Sequence, residues 1–354
     1  MNFNFKKIIA AALAAVICVS LCGCHGKDEV AVSAGDVSLT SAMYSCCMVQ
    51  AYNEGANKVY QNDNTVSNYL TASVESKPFV TWVEDRTDEI VKLNLALLKL
   101  EKEGKIKLTD DEKSAAETEA DQYWNNYSYS TLYEPNGVSY STFKKSILCN
   151  YLKTAYFNSF YGKGGSEEVK EADIKKAMNT NYEAVRTVST SITSDMTDAD
   201  TTSLKNKYNG YVEKLKKDSY AFTDIYKEVN GMSDSDLKNA TGSNTGVKDP
   251  LATIIGGKNT SSPDDNFAAI KSMAKGEVKV FTSSSSVRLV IKGDINEDEY
   301  YYTTLKDTVL HLMKDDEFDK KLEEKEKELN IKTNSFATNQ FKVKKIKIPE
   351  STNG

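Results

Sequence analysis

The side chains that usually carry chemistry are few and scattered in this sequence. There are two histidines, His25 and His311, and six cysteines. His311 stands among Leu310, Leu312 and Met313 with no second histidine or cysteine at ligand spacing, so it reads as a core or boundary residue and no metal is expected. No Gly-x-Ser-x-Gly elbow is present to support a Ser-His-Asp triad. The many carboxylates are spread along solvated faces rather than set as a pair. Cys46, Cys47 and Cys149 lack metal spacing, and adjacent cysteines rarely bridge each other. All three therefore read as small buried helix residues. Gly162-Lys163-Gly164-Gly165-Ser166 has no preceding strand and no following Gly-Lys-Ser/Thr, so it is a linker and not a phosphate loop. No cofactor is expected. The run Tyr123, Trp124, Tyr127, Tyr129, Tyr133, Tyr140 offers broad apolar faces with polar tips, suited to a packing layer or to loose gripping of peptide. Tyr123, Trp124 and Tyr127 are the candidate peptide-binding residues.

Cys24 is the exception. Lys6 and Lys7 precede an apolar run from Ile8 to Leu21 that is short for a bilayer span and suits a signal-peptide core. Leu21-Cys22-Gly23-Cys24 resembles the lipobox of bacterial lipoproteins. That resemblance implies cleavage after residue 23, acylation of the Cys24 thiol and attachment to the extracytoplasmic face of the cell membrane. Without residues 1–23 the chain keeps 43 basic and 51 acidic residues, a net charge of −8. Phosphate backbones and anionic headgroups would repel such a surface, which disfavours nucleic-acid binding and electrostatic membrane docking. A composition of 40% hydrophobic and 27% charged residues fits a folded, helix-rich body of two domains.

The elements follow from periodicity. Val30–Ala34, a Gly35-Asp36 turn and Val37–Thr40 read as a hairpin, with Thr40 capping a helix over 41–60. Residues 82–103 carry Ile90, Leu93, Leu97 and Leu100 at helical spacing. Gly104 suits its C-terminus and Thr109-Asp110-Asp111-Glu112 is a capping box. A third helix is expected over 139–160. Beyond the linker come a helix at 168–180, a strand over 184–192, helices through Leu204–Leu215 and 220–229, and a long loop at 230–265. A short helix at 265–274, strands at 278–281 and 287–291, a C-terminal helix, and a last strand over 341–348 complete the reading.

Taken in order, several segments resemble the PrsA and SurA class of extracytoplasmic foldases. These are Gly35-Asp36-Val37-Ser38-Leu39-Thr40, the stretch from Leu97 to Glu112 around Gly104-Lys105-Ile106-Lys107-Leu108-Thr109, Gly137-Val138-Ser139 with Phe143-Lys144, Val185-Arg186-Thr187-Val188, Lys217-Asp218-Ser219-Tyr220-Ala221-Phe222, and Lys275-Gly276-Glu277-Val278. The resemblance implies an α+β protein in which a helical SurA-like chaperone domain is built from N- and C-terminal segments around an inserted parvulin-like domain. The expected boundaries are 1–23 signal peptide, 24–165 helical domain, 166–295 parvulin-like domain, and 296–354 returning helix and strand. Parvulins place one histidine in the first strand and one in the last; here Thr187 takes the first position and Arg288 or Leu289 the second. Asp234 or Asp236 matches the family's acidic position, although the following Gly-Gly-Asp-Leu-Gly pattern is missing, and Phe267 matches one wall of the proline pocket. The implied partners are unfolded or nascent secreted polypeptides, with a homodimer as one candidate assembly. The implied activity is folding assistance with weak or lost prolyl isomerisation. A working isomerase with a substituted site and a solute-binding lipoprotein are the alternatives.

Overall fold

The computed structural model describes residues 28–218, 221–241 and 247–349. The segment expected to be a signal peptide, and Cys24, lie outside these residues. The chain divides into two compact units, residues 1–160 with 319–354, and residues 161–318.

In the first unit, β1 (Val30–Ala34) and β2 (Val37–Thr40) form an antiparallel hairpin. Gly35 turns it at φ 65°, a conformation open to glycine without a side-chain clash. The Thr40 hydroxyl accepts from the Met43 N–H and starts α1 (Ser41–Asn62). A second small hairpin, β3 (Ser73–Val74) and β4 (Lys77–Pro78), leads into α2 (Phe79–Lys102). The α1 and α2 helices approach closely because Gly55 leaves room: a Cβ there would sit 3.0 Å from the Phe79 ring. The capping box closes in both directions between Thr109 and Glu112 at the start of α3 (Asp110–Asp121). A π-helical turn (Gln122–Asn126), α4 (Tyr129–Tyr133) and α5 (Tyr140–Tyr161) follow.

The second unit begins with α6 (Glu171–Asn181) and β5 (Tyr182–Ser191). Three helices come next: α7 (Asp198–Lys217), α8 (Phe222–Asn230) and α9 (Asp234–Thr241). Then come β6 (Ala252–Gly256), α10 (Phe267–Lys271), β7 (Val278–Thr282) and β8 (Ser286–Lys292). The strands form one antiparallel sheet in the order β6-β5-β8-β7. One face packs Val188, Val287 and Leu289 against Tyr208, Tyr211 and Phe222. The other packs Val185, Val290 and Ile255 against Ile270 and Met273. Helix α11 (Glu299–Lys327) then leads to β9 (Ile331–Thr333) and α12 (Ser335–Thr338), and β9 pairs with β1 in the first unit's sheet. The architecture is α+β.

Three expectations need correction. Residues 230–265 are not one long loop: they hold α9 and β6. The strand-like run 341–348 forms a short 3₁₀ turn at Val343–Lys345, while the C-terminal strand is β9, which has a partner in β1. Finally, the units divide at 160/161 and 318/319 rather than at 165/166 and 295/296. Residues 296–302 are tied to α6, Asn296 by hydrogen bonds with Asn179 and Tyr302 by the Lys175 ammonium 4.6 Å from its ring.

Candidate functional site

Strand alternation builds the site. On β5, Glu183, Val185 and Thr187 share one face; on β8, Arg288, Val290 and Lys292 meet them across the antiparallel register. Thr187 stands diagonally beside Arg288. The Arg288 Nε–H donates to Thr187 Oγ1 at 2.9 Å, and the Thr187 hydroxyl donates to the Leu289 carbonyl at 3.0 Å. Arg288 Nη1 donates to the Asp264 carboxylate. Both partners of this ion pair are largely withdrawn from water, with side-chain exposures of 20% for Arg288 and 12% for Asp264. Asp264 is itself held by its N–H donating to the Gly256 carbonyl, and its other oxygen accepts the Asn266 N–H. A linear chain of hydrogen bonds thus runs from Asp264 through Arg288 and Thr187 to the Leu289 carbonyl.

Phe267 opens α10 and packs against the same apolar cluster as Val185, Val290 and Phe281. Its ring fits because residue 257 is glycine; a Cβ there would lie 2.9 Å from the ring. The Lys271 ammonium sits 5.5 Å from the ring centroid. The structure therefore brings Thr187, Arg288 and Phe267 to one face of the sheet. Leu289 goes elsewhere, fully buried against Val188 and Tyr208 on the opposite face. Asp234 and Asp236 do not join the network. Asp234 pairs with Lys227 at 2.7 Å, and Asp236 accepts from the Ser233 N–H and hydroxyl, which hold its carboxyl below the usual range. The acid at the site is Asp264, which the sequence reading missed. Its one local signal was the Pro263-Asp264-Asp265-Asn266 turn just before Phe267.

A cavity of about 340 Å³ opens at the other end of these strands, lined by Arg186, Asp249, Lys275, Glu297, Ile291 and Tyr301 among others, and it does not include Thr187, Arg288 or Phe267. Its charges pair internally, Arg186 with Asp249 and Lys275 with Glu297. We place the site at the hydrogen-bonded face because the resemblance-matched residues converge there.

The second candidate site lies in the first unit. Trp124 is 7% exposed and packs between Tyr140 and Phe143, with ring centroids 5.7 and 5.4 Å away, so it belongs to the core rather than to a peptide surface. Tyr127 is 67% exposed, and Tyr123 is half-buried beside it. Cys46, Cys47 and Cys149 are buried free thiols. Burial pushes Cys46 and Cys149 up to about 12 and raises Cys47 well above its ordinary value, so none is a ready nucleophile. His311 lies on α11 with Nδ1 2.7 Å from the Asp315 carboxylate.

Comparison with known proteins finds similar solved structures, three of which are as follows. The foldase protein PrsA from Lactococcus lactis is 18% identical with a TM-score of 0.37, the match covering 87% of this chain and 96% of that one. The foldase protein PrsA from Streptococcus pneumoniae is 15% identical with a TM-score of 0.41, covering 77% and 98%. The peptidylprolyl isomerase PrsA from Bacillus anthracis is 16% identical with a TM-score of 0.26, covering 68% and 96%. No family model and no curated protein matches the chain.

Proposed function

We propose that this chain is a folding factor, lipid-anchored at Cys24 on the extracytoplasmic face of the membrane, that binds unfolded or nascent secreted polypeptides. Its parvulin-like unit serves as a binding module with weak or lost prolyl isomerase activity. The observation that carries this reading is the Thr187–Arg288–Asp264 hydrogen-bond chain on the sheet face beside Phe267. Thr187 and Arg288 are the residues that the resemblance matches to the family's two histidines. Prolyl isomerisation must overcome a barrier of about 18–20 kcal/mol as amide resonance is lost. An enzyme lowers it by binding the twisted amide better than either planar form. In this chain the Thr187 proton is committed to a backbone carbonyl and the Arg288 charge is committed to Asp264. The Thr187 hydroxyl and the Arg288 Nε–H and Nη1–H are matched to fixed acceptors, so these donors gain little as the amide twists, whereas the Phe267 wall can still take an apolar ring.

The address is supported by the lipobox-like residues before Cys24. Among the described residues no helix is long and apolar enough to cross a membrane. Starting the chain at residue 25 removes no described element, so that form is suitable for assay. In proline-limited refolding of a model substrate, catalytic amounts of it should leave the slow phase nearly unchanged. Strong acceleration would favour the alternative, a working isomerase with a substituted site.

A further inference from the structure

The tyrosine surface of the first unit has a construction that a mere packing layer does not need. The turn after α3 is π-helical, with the Tyr127 N–H donating to the Gln122 carbonyl at 3.1 Å. Such turns are uncommon and occur frequently at functional sites. This one sets the Tyr123 and Tyr127 rings 5.7 Å apart, centroid to centroid. Ser128 follows in the left-handed region at φ 57°, unfavourable for a residue with a Cβ, and it returns the chain so that Tyr129 lies 5.1 Å from Tyr123. These two backbone features thus set the exposed Tyr127 ring beside the half-buried Tyr123 and Tyr129 rings in one row.

Two acids at the end of α3, Glu119 and Asp121, immediately precede the rings in the chain. The Tyr151 hydroxyl donates to Glu119 at 2.9 Å, and the Tyr140 hydroxyl donates to Asp121 at 2.6 Å. Both hydroxyl partners are neutral, and among the described residues neither carboxylate pairs with a cation. The neighbouring Lys144 is taken up by Glu117 at 2.9 Å. A platform meant for apolar side chains alone would not gain from this charge. Ring faces carry negative potential and attract ammonium and guanidinium groups, and adjacent carboxylates add to that attraction.

We infer that Tyr123, Tyr127 and Tyr129, with Glu119 and Asp121, select lysine- and arginine-bearing segments of unfolded polypeptide. This rests on the reading that the chain binds such polypeptides, and it adds which part of them the first unit grips. Each cation–ring contact at an exposed site is worth about two- to fivefold in affinity. The test is fluorescence anisotropy of two labelled unstructured peptides, identical except that arginines in one are glutamines in the other, titrated with the chain from residue 25. The arginine peptide should bind at least about fivefold tighter, and the preference should shrink as salt rises. Tyr127→Ala and Glu119→Gln should each weaken arginine-peptide binding about two- to fivefold and leave the glutamine peptide unchanged. Equal affinity for both peptides, or a Tyr127→Ala variant that binds the arginine peptide normally, overturns the inference. If the chain slows client aggregation without this preference, the inference fails and the folding-factor reading stands. If it shows the preference and does not slow aggregation, the platform stands and that reading fails.

Discussion

Arg288→Leu removes the cation from a pair whose acid is nearly buried. The Asp264 side chain is 12% exposed, and two of its anchors, Gly256 and Asn266, hold it in place rather than letting it swing to water. Breaking a fully buried pair costs about 3–5 kcal/mol; with the residual exposure on both sides we expect about 2–3 kcal/mol here. Asp264→Asn keeps an acceptor for the guanidinium and should cost about 1–2 kcal/mol. The double variant leaves neither charge stranded, so it should cost less than the sum of the two by about 1–2 kcal/mol. Both tryptophans, Trp82 and Trp124, lie in the first unit, so their fluorescence does not follow this change directly. Hydrogen exchange on peptides covering residues 182–191 and 286–292 does. Single variants should lose protection there, and the double variant should recover part of it. Strictly additive losses, or an Arg288→Leu variant with unchanged protection, would refute the argument from this hydrogen-bond chain.

Thiol chemistry gives a pH prediction. Cys46 and Cys149 are held neutral by burial up to about 12, against an ordinary value of 9.0. Above that ordinary value the unfolded chain releases protons that the folded chain retains, so stability is intact below pH 9.0 and falls as pH rises toward 12, by up to about 1.4 kcal/mol per unit and thiol. A thiol reagent should accordingly label the chain from residue 25 only after denaturant is added; fast labelling of the native form would contradict the burial. Thr109→Ala should cost about 1 kcal/mol in urea unfolding, since the reciprocal cap with Glu112 is lost. Gly210→Ala, in α7 with open space around its Cβ position, should stabilise by about 0.5–1 kcal/mol. Gly293→Ala should destabilise by about 1–3 kcal/mol because its Cβ would lie 2.9 Å from the Ala184 carbonyl oxygen. Reversed signs for these two glycines would count against the local packing described.

What could be read from the chain depended on how local its cause was. The Thr40 cap, the Thr109–Glu112 box and the stripe through Ile90, Leu97 and Leu100 act within a few residues, and the corresponding helices form as expected. β6 was missed because Ala252–Gly256 is a five-residue run inside a stretch rich in Gly, Ser, Asn and Asp. Only its pairing with β5 distinguishes it from loop. The opposite error arose at Phe341–Ile348, whose residues alternate like a strand, while the three residues of β9 take the place beside β1. At the site, Thr187 and Arg288 could be named from motif order. Leu289 could be separated from Arg288 only by the β5–β8 register, which sends adjacent residues to opposite faces. Asp264 became visible only when the β6–α10 connection folded back over the sheet.

Binding of unfolded polypeptide is the central claim, and light scattering tests it most directly. A chemically unfolded, aggregation-prone client is diluted with increasing amounts of the chain from residue 25. The account predicts that aggregation slows progressively as the chain approaches one equivalent. Scattering that rises at the same rate with and without stoichiometric chain would contradict it.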